Sequence, residues 1–185
     1  SFTGNWIHMA WFFHSNLKLT SISMSNCFTG EGAYGYVYAY NCPVLSTINF
    51  SNMFNGNYFR TWHMFHTIQG LHNATFTNCF NGANAMLDYM FVNCFQTQNR
   101  FDTLTMISCC NGTNANMRMM VLNCHGLGTL NMTNVGNGAN VKMGRAIYYP
   151  CALRNVTLNN VGNGANAELY QMFWRASNNN TTWNP

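Results

Sequence analysis

A repeat solenoid, leucine-rich-repeat-like or a β-solenoid, with about seven rungs of 26 residues, is the fold class this sequence predicts. Three observations predict it. Segments 19–44, 45–70, 71–96, 101–126, 127–152 and 153–178 align without gaps, broken only by the insert 97–100. A glycine recurs at one place in each: Gly30, Gly56, Gly82, Gly112, Gly138 and Gly164. Apolar residues also recur at fixed places, so a unit buries its apolar side only against its neighbours. Residues 2–18 and 179–185 align as partial repeats, and 1–185 reads as a single solenoid domain.

Within a repeat, places are numbered one to twenty-six. Places one, four and six are apolar, as in Leu45, Ile48 and Phe50, Leu71, Ala74 and Phe76, or Leu127, Leu130 and Met132. Places four and six alternate with polar residues, which predicts a short parallel strand with one side inward. Place eight is Asn26, Asn52, Asn78, Asn134 and Asn160, with Ser108 the exception. A short polar side chain there is expected to bond backbone groups of the following bend. The place-twelve glycine follows Asn in Asn81-Gly82 and Asn137-Gly138, a turn signal because both residues tolerate positive φ.

A second apolar cluster follows: Met64-Phe65, Met90-Phe91, Met120-Val121, Ala146-Ile147 and Met172-Phe173. Leu87, Met117, Met143 and Leu169 lie three residues before four of these pairs. That spacing predicts a short helical or 3₁₀ return, with a bent second strand as the alternative. Leu71, Phe76, Met90 and Phe91 are expected in the core, with Gly82 in an edge turn.

The pattern L-x-x-L-x-L-x-N, a turn, and x-M-F-x-N-C resembles the leucine-rich-like repeats of BspA-like bacterial surface proteins. Leu71 to Cys94, ending Tyr89-Met90-Phe91-Val92-Asn93-Cys94, carries it best. The resemblance covers nearly the whole chain. The turn departs from it, with Asn-Gly-Ala-Asn where that family has Ser, Thr, Val and Asp. The resemblance implies an extracellular or cell-surface, non-catalytic structural or adhesive role.

Composition narrows the function classes. Hydrophobic residues make up 48% of the chain but charged ones only 6%, well below the usual quarter. So little charge predicts a surface covered by copies of the chain itself. Eight Lys and Arg are scattered, which argues against nucleic-acid binding. No apolar run approaches the roughly 18 residues of a membrane span; the longest lies near Trp6 to Phe13. No signal peptide is visible, so Ser1 reads as a mature or trimmed terminus.

Catalysis is sparsely equipped. The acids are Glu31, Asp88, Asp102 and Glu168, at different places, and no nucleophile stands out beside a base. The chain is therefore read as no enzyme, with no cofactor. Cys27, Cys79 and Cys109 share place nine, and Cys42, Cys94 and Cys124 share place twenty-four; Cys151 lies one place later. Same-place residues stack at about 4.8 Å. Buried thiols filling a column are one reading, a Cys94–Cys124 disulfide needing local distortion another, and a metal site a third. His63 and His66 lack further ligands, so no metal is expected there.

The functional candidate is a polar ladder. Places three, five and seven face away from the core and are almost all Ser, Thr or Asn. The ladder comprises Thr47, Asn49, Ser51, Asn73, Thr75, Thr77, Thr103, Thr105, Thr129, Asn131, Thr133, Asn155 and Thr157, with Ile107 intruding. It reads as an ordinary solvated face, as an adhesive surface for glycan or host surface protein, or as an ice-binding face. The last follows from a resemblance to the Thr ladders of β-solenoid antifreeze proteins. Sequons at Asn49, Asn73, Asn131 and Asn155 fall on this ladder, where sugars would crowd it.

Both partial repeats carry large aromatics: Trp6, Trp11, Phe12 and Phe13 in the first, Trp183 in the last. Uncapped rungs favour strand addition by another copy, and unlike ends in contact give an open fibre. Head-to-tail self-assembly into a filament is therefore expected. The alternative is that 1–185 is one piece of a longer array.

Overall fold

The computed structural model describes residues 2–94, 101–150 and 152–175. It is a parallel β-solenoid in which each repeat makes one turn and stacks on the next. Places three to seven, extended to place nine in the last two strands, form a six-stranded sheet of Ser21–Ser25, Thr47–Ser51, Asn73–Thr77, Thr103–Ile107, Thr129–Val135 and Asn155–Val161, lying in chain order. Pairing is in register throughout, as in Thr103 opposite both Asn73 and Thr129. The insert therefore leaves the stacking phase untouched.

Places twenty-one and twenty-two form a second sheet of seven two-residue strands, from Phe13–His14 to Phe173–Trp174. The third face is thinner. Tyr34–Tyr36 pairs with Arg60–Trp62, and single bridges at place sixteen carry the pairing on through Met86, Asn116, Lys142 and Glu168.

The second sheet corrects the expected helical return, for no helix occurs among the described residues. A helix would satisfy its N–H groups within the repeat. Here Phe65 N–H donates to Met90 O, Phe91 N–H to Met120 O and Val121 N–H to Ala146 O, each one rung onward. The aromatic and β-branched residues at these places suit an extended backbone.

The chain turns at five fixed corners. Every described residue with positive φ falls at place eight, ten, fourteen, nineteen or twenty-three. Place twelve is not among them, which corrects the reason for its glycine. A Cβ on Gly56, Gly82, Gly112, Gly138 or Gly164 would overlap the carbonyl oxygen of the place-twelve glycine one rung earlier. The glycine is required by close approach of two backbones, not by its torsion angle.

Asparagine serves these corners in three columns. At place eight, Asn52 Nδ2 donates to Asn26 Oδ1 at 3.1 Å, Asn78 to Asn52 at 2.7 Å and Asn160 to Asn134 at 2.8 Å. The expected bond from this asparagine to the following bend is thus replaced by a bond to the same asparagine one rung back. Place eleven does the backbone work instead. Asn81 Nδ2 donates to Ser108 O, and its Oδ1 accepts from Asn111 N–H, clamping two groups of the next rung. Place fourteen adds a third column, Asn84, Asn114, Asn140 and Asn166, bonded at 3.0–3.1 Å.

Leu71, Phe76, Met90 and Phe91 are buried as expected, with Gly82 in a bend. Phe28, Phe54 and Phe80 stack at place ten with centroids 5.4 Å apart and rings within 7° of parallel. Each holds a left-handed backbone at a cost of about 1–2 kcal/mol. Burying the ring returns about 1.5–3 kcal/mol, and stacking adds roughly 0.5–1.5 kcal/mol, so the position is held. Where place ten is glycine, the place-seventeen side chain lies against it, as Met143 does at Gly136 and Leu169 at Gly162. A Cβ on Gly136 would lie 2.8 Å from Met143 Sδ, so the methionine fills the space a phenylalanine takes elsewhere.

Candidate functional site

The long sheet turns places four and six inward and places three, five and seven outward. Of the ladder, Asn49, Asn73, Asn155 and Thr157 are exposed, while Thr47, Ser51, Thr75, Thr77, Thr103, Thr105, Thr129, Asn131 and Thr133 are half-buried by their neighbours. Ile107 is exposed among them. Ranks run at about 4.8 Å between strands and about 6.6 Å along them, the geometry of any parallel sheet. Among the described residues, the hydrogen bonds joining ladder side chains to other side chains are long: Asn155 Nδ2 to Thr129 Oγ1 at 3.4 Å and Ser46 Oγ to Thr47 Oγ1 at 3.5 Å. The asparagine columns satisfy one another; the ladder leaves its donors and acceptors to the outside.

Ser46, His72 and Asp102 share place two on successive rungs, the order of a nucleophile, base and orienting acid. His72 Nδ1 lies 2.9 Å from Asp102 Oδ2. Ser46 Oγ, however, donates to Thr20 O at 3.1 Å, so the base does not engage the hydroxyl. Glu168 pairs with Arg118. His63 and His66 meet edge to face at 5.0 Å, and burial holds both below the ordinary imidazole range. Cys27, Cys42, Cys79, Cys94, Cys109, Cys110 and Cys124 are free thiols, and burial pushes Cys110 and Cys124 up, away from the reactive thiolate. Cys151 lies outside the described residues.

The aromatic end residues divide. Trp6, Trp11 and Phe12 are exposed, with Phe12 stacked on Tyr38 at 5.3 Å; Phe13 is half-buried in the second sheet. Trp183 lies outside the described residues.

The third face holds a feature absent from the sequence reading. Tyr34, Tyr36, Arg60, Thr61, Trp62, Met86, Asp88 and Tyr89 line an open cleft of about 350 Å³. Tyr34-Gly35-Tyr36 and Arg60-Thr61-Trp62 each put the small middle residue inward and large side chains outward, an alternation that marks this strand in the sequence. Thr61 Oγ1 donates inward to Asp88 O at 3.2 Å. Burial pushes the Asp88 carboxyl up to about 6, against a smaller opposing pull from Arg118, and its Oδ1 is buried with no partner.

No protein family, curated protein or solved structure was found to match this chain. The fold itself defines the class to which it belongs, the parallel β-solenoids.

Proposed function

We propose that this chain is a non-catalytic extracellular or cell-surface repeat module that works by surface contact, with the polar sheet as its contact face. The observation that carries this is the in-register array of outward Ser, Thr and Asn groups left without strong partners within the fold. Many weak hydrogen bonds along a flat sheet suit adhesion to a glycan-coated or protein surface, the role implied by the resemblance to BspA-like repeats. The expected test result is that Thr75→Tyr and Thr133→Tyr together weaken attachment to such surfaces while the circular-dichroism spectrum is retained. Full retention of attachment would place the contact elsewhere. The same array would suit ordered water; thermal hysteresis in the unmodified protein, lost in these variants, supports ice binding in place of adhesion.

A second reading is self-association into filaments. It is supported by apolar side chains exposed beside the outermost described strands: Phe12 on one side, Leu158, Leu169 and Tyr170 on the other. Sedimentation velocity over a wide concentration range checks it. A mass that grows with concentration supports it, and a constant monomer mass removes it.

A further inference from the structure

The cleft on the third face uses groups that neither the core nor the polar sheet employs. Trp62 is 56% exposed and Tyr36 41%, an unusual outlay of aromatic surface in successive rungs of one column. The two rings meet edge to face, 5.5 Å between centroids and 73° between planes, so Tyr36 buttresses Trp62 and leaves indole surface free. The next residue of that column is Asp88, whose Oδ1 is buried without a hydrogen-bond partner. The following one, Arg118, attracts that carboxyl without hydrogen-bonding its Oδ1, being paired with Glu168 and lying 6.0 Å from the Tyr170 ring centroid. The exposed Arg60 guanidinium stands on the same cleft.

We propose that this cleft is a saccharide-binding site that takes a neutral sugar ring on Trp62. A sugar ring has an apolar C–H face and a rim of hydroxyls. The C–H face packs on the indole, as amphipathic ligands pack on aromatic side chains. The half-buried Asp88 side chain lines the cleft wall, and its carboxylate is the acceptor there for one hydroxyl. Another accepts from the Arg60 guanidinium, which carries only donors. The cleft volume lies within the range of small-molecule sites. An organic cation would also suit aromatic rings beside a carboxylate, but Arg60 repels it, which favours the neutral ring. The site lies off the polar sheet and stands whether or not the sheet is adhesive.

The test is titration of the full chain with the methyl glycosides of glucose, galactose, mannose and N-acetylglucosamine, read by saturation-transfer NMR and tryptophan fluorescence. At least one glycoside is expected to bind saturably. Trp62→Ala and Asp88→Asn should each weaken it about tenfold or more, equivalent to one well-made contact. Tyr36→Ala, which removes only the buttress, should weaken it less, and Lys18→Ala, at an exposed position off the cleft, should leave it unchanged. Circular dichroism confirms that each variant is folded, which the exposure of Trp62 and Tyr36 favours. The proposal is overturned if none of the four glycosides binds, or if folded Trp62→Ala binds as the parent does. Preferential binding of tetramethylammonium, lost in Asp88→Asn, overturns it too and makes the cleft a cation cage.

Discussion

Gly112 sits so close to Gly82 that a Cβ on Gly112 would overlap the Gly82 carbonyl oxygen. The same relation recurs from rung to rung, so the place-twelve glycines form a backbone-on-backbone seam. Backbone cannot swing aside as a flexible side chain can. Gly112→Ala is expected to lower stability by about 3 kcal/mol or more, at the upper end of overpacking costs. Urea unfolding of parent and variant measures it; a loss under 1 kcal/mol, well below that class of strain, would show that the seam yields.

Phe91 joins three core rings. Its centroid lies 5.0 Å from Phe65, 5.3 Å from Phe101 and 6.0 Å from Phe76, and the side chain is fully buried. Phe91→Ala should cost about 3–5 kcal/mol, the range for a large ring removed from a packed core. Exposed Trp62→Ala, by contrast, should move the unfolding midpoint little.

Ser108 interrupts the place-eight asparagine column, leaving Asn26, Asn52 and Asn78 on one side and Asn134 and Asn160 on the other. Its φ of 52° is the left-handed conformation that asparagine tolerates better than serine. Ser108→Asn should join the two runs through new side-chain bonds and raise stability by about 1 kcal/mol. The thermal midpoint reports the gain; a decrease would mean the column cannot close at that rung.

The pH dependence has opposing parts. The Asp88 carboxyl is raised from 3.8 to about 6 by burial, so the fold disfavours its charged form. Its share of stability is present below pH 3.8 and is lost as pH rises through about 6. His63 and His66 are held below 6.5, so their neutral forms suit the fold and their share is lost as pH falls below that value. Asp88→Asn isolates the first part. Relative to the parent, the variant should gain in melting temperature between pH 4 and pH 6, with no further gain above. A difference that is flat across that window would mean the carboxyl is solvated.

Much of the fold is legible in the residues. Ile48 and Phe50, spaced by two and flanked by polar partners, mark a strand with one buried side, and the structure places Thr47–Ser51 there. The shared phase of all the repeats then implies in-register stacking. What was not legible depends on contacts between rungs. Asn52 gives no local sign that its partner is Asn26, a full turn away. Gly82 beside Asn81 looks like a torsion-driven turn, because a backbone from another rung does not show in a local window. Met90-Phe91 fits helix or strand until the acceptor of the Phe91 N–H is known to be Met120 O. The polar ladder was legible because its residues share one periodicity. The cleft was not, because Tyr36, Trp62 and Asp88 occupy one place yet differ in type.

The fixed corners have a consequence for how such a chain can change length. Losing one residue between corners would turn every later side chain of that rung inside out, since inward and outward positions alternate along each strand. In the sequence the four extra residues 97–100 follow place twenty-six, and Thr103 still faces Asn73. Growth is therefore quantised. A duplicated segment of one full period extends the body by about 4.8 Å, where the same stretch coiled as an α-helix would extend it by about 39 Å. A gene lineage building on this plan counts in whole turns and sets its dimensions in very fine steps.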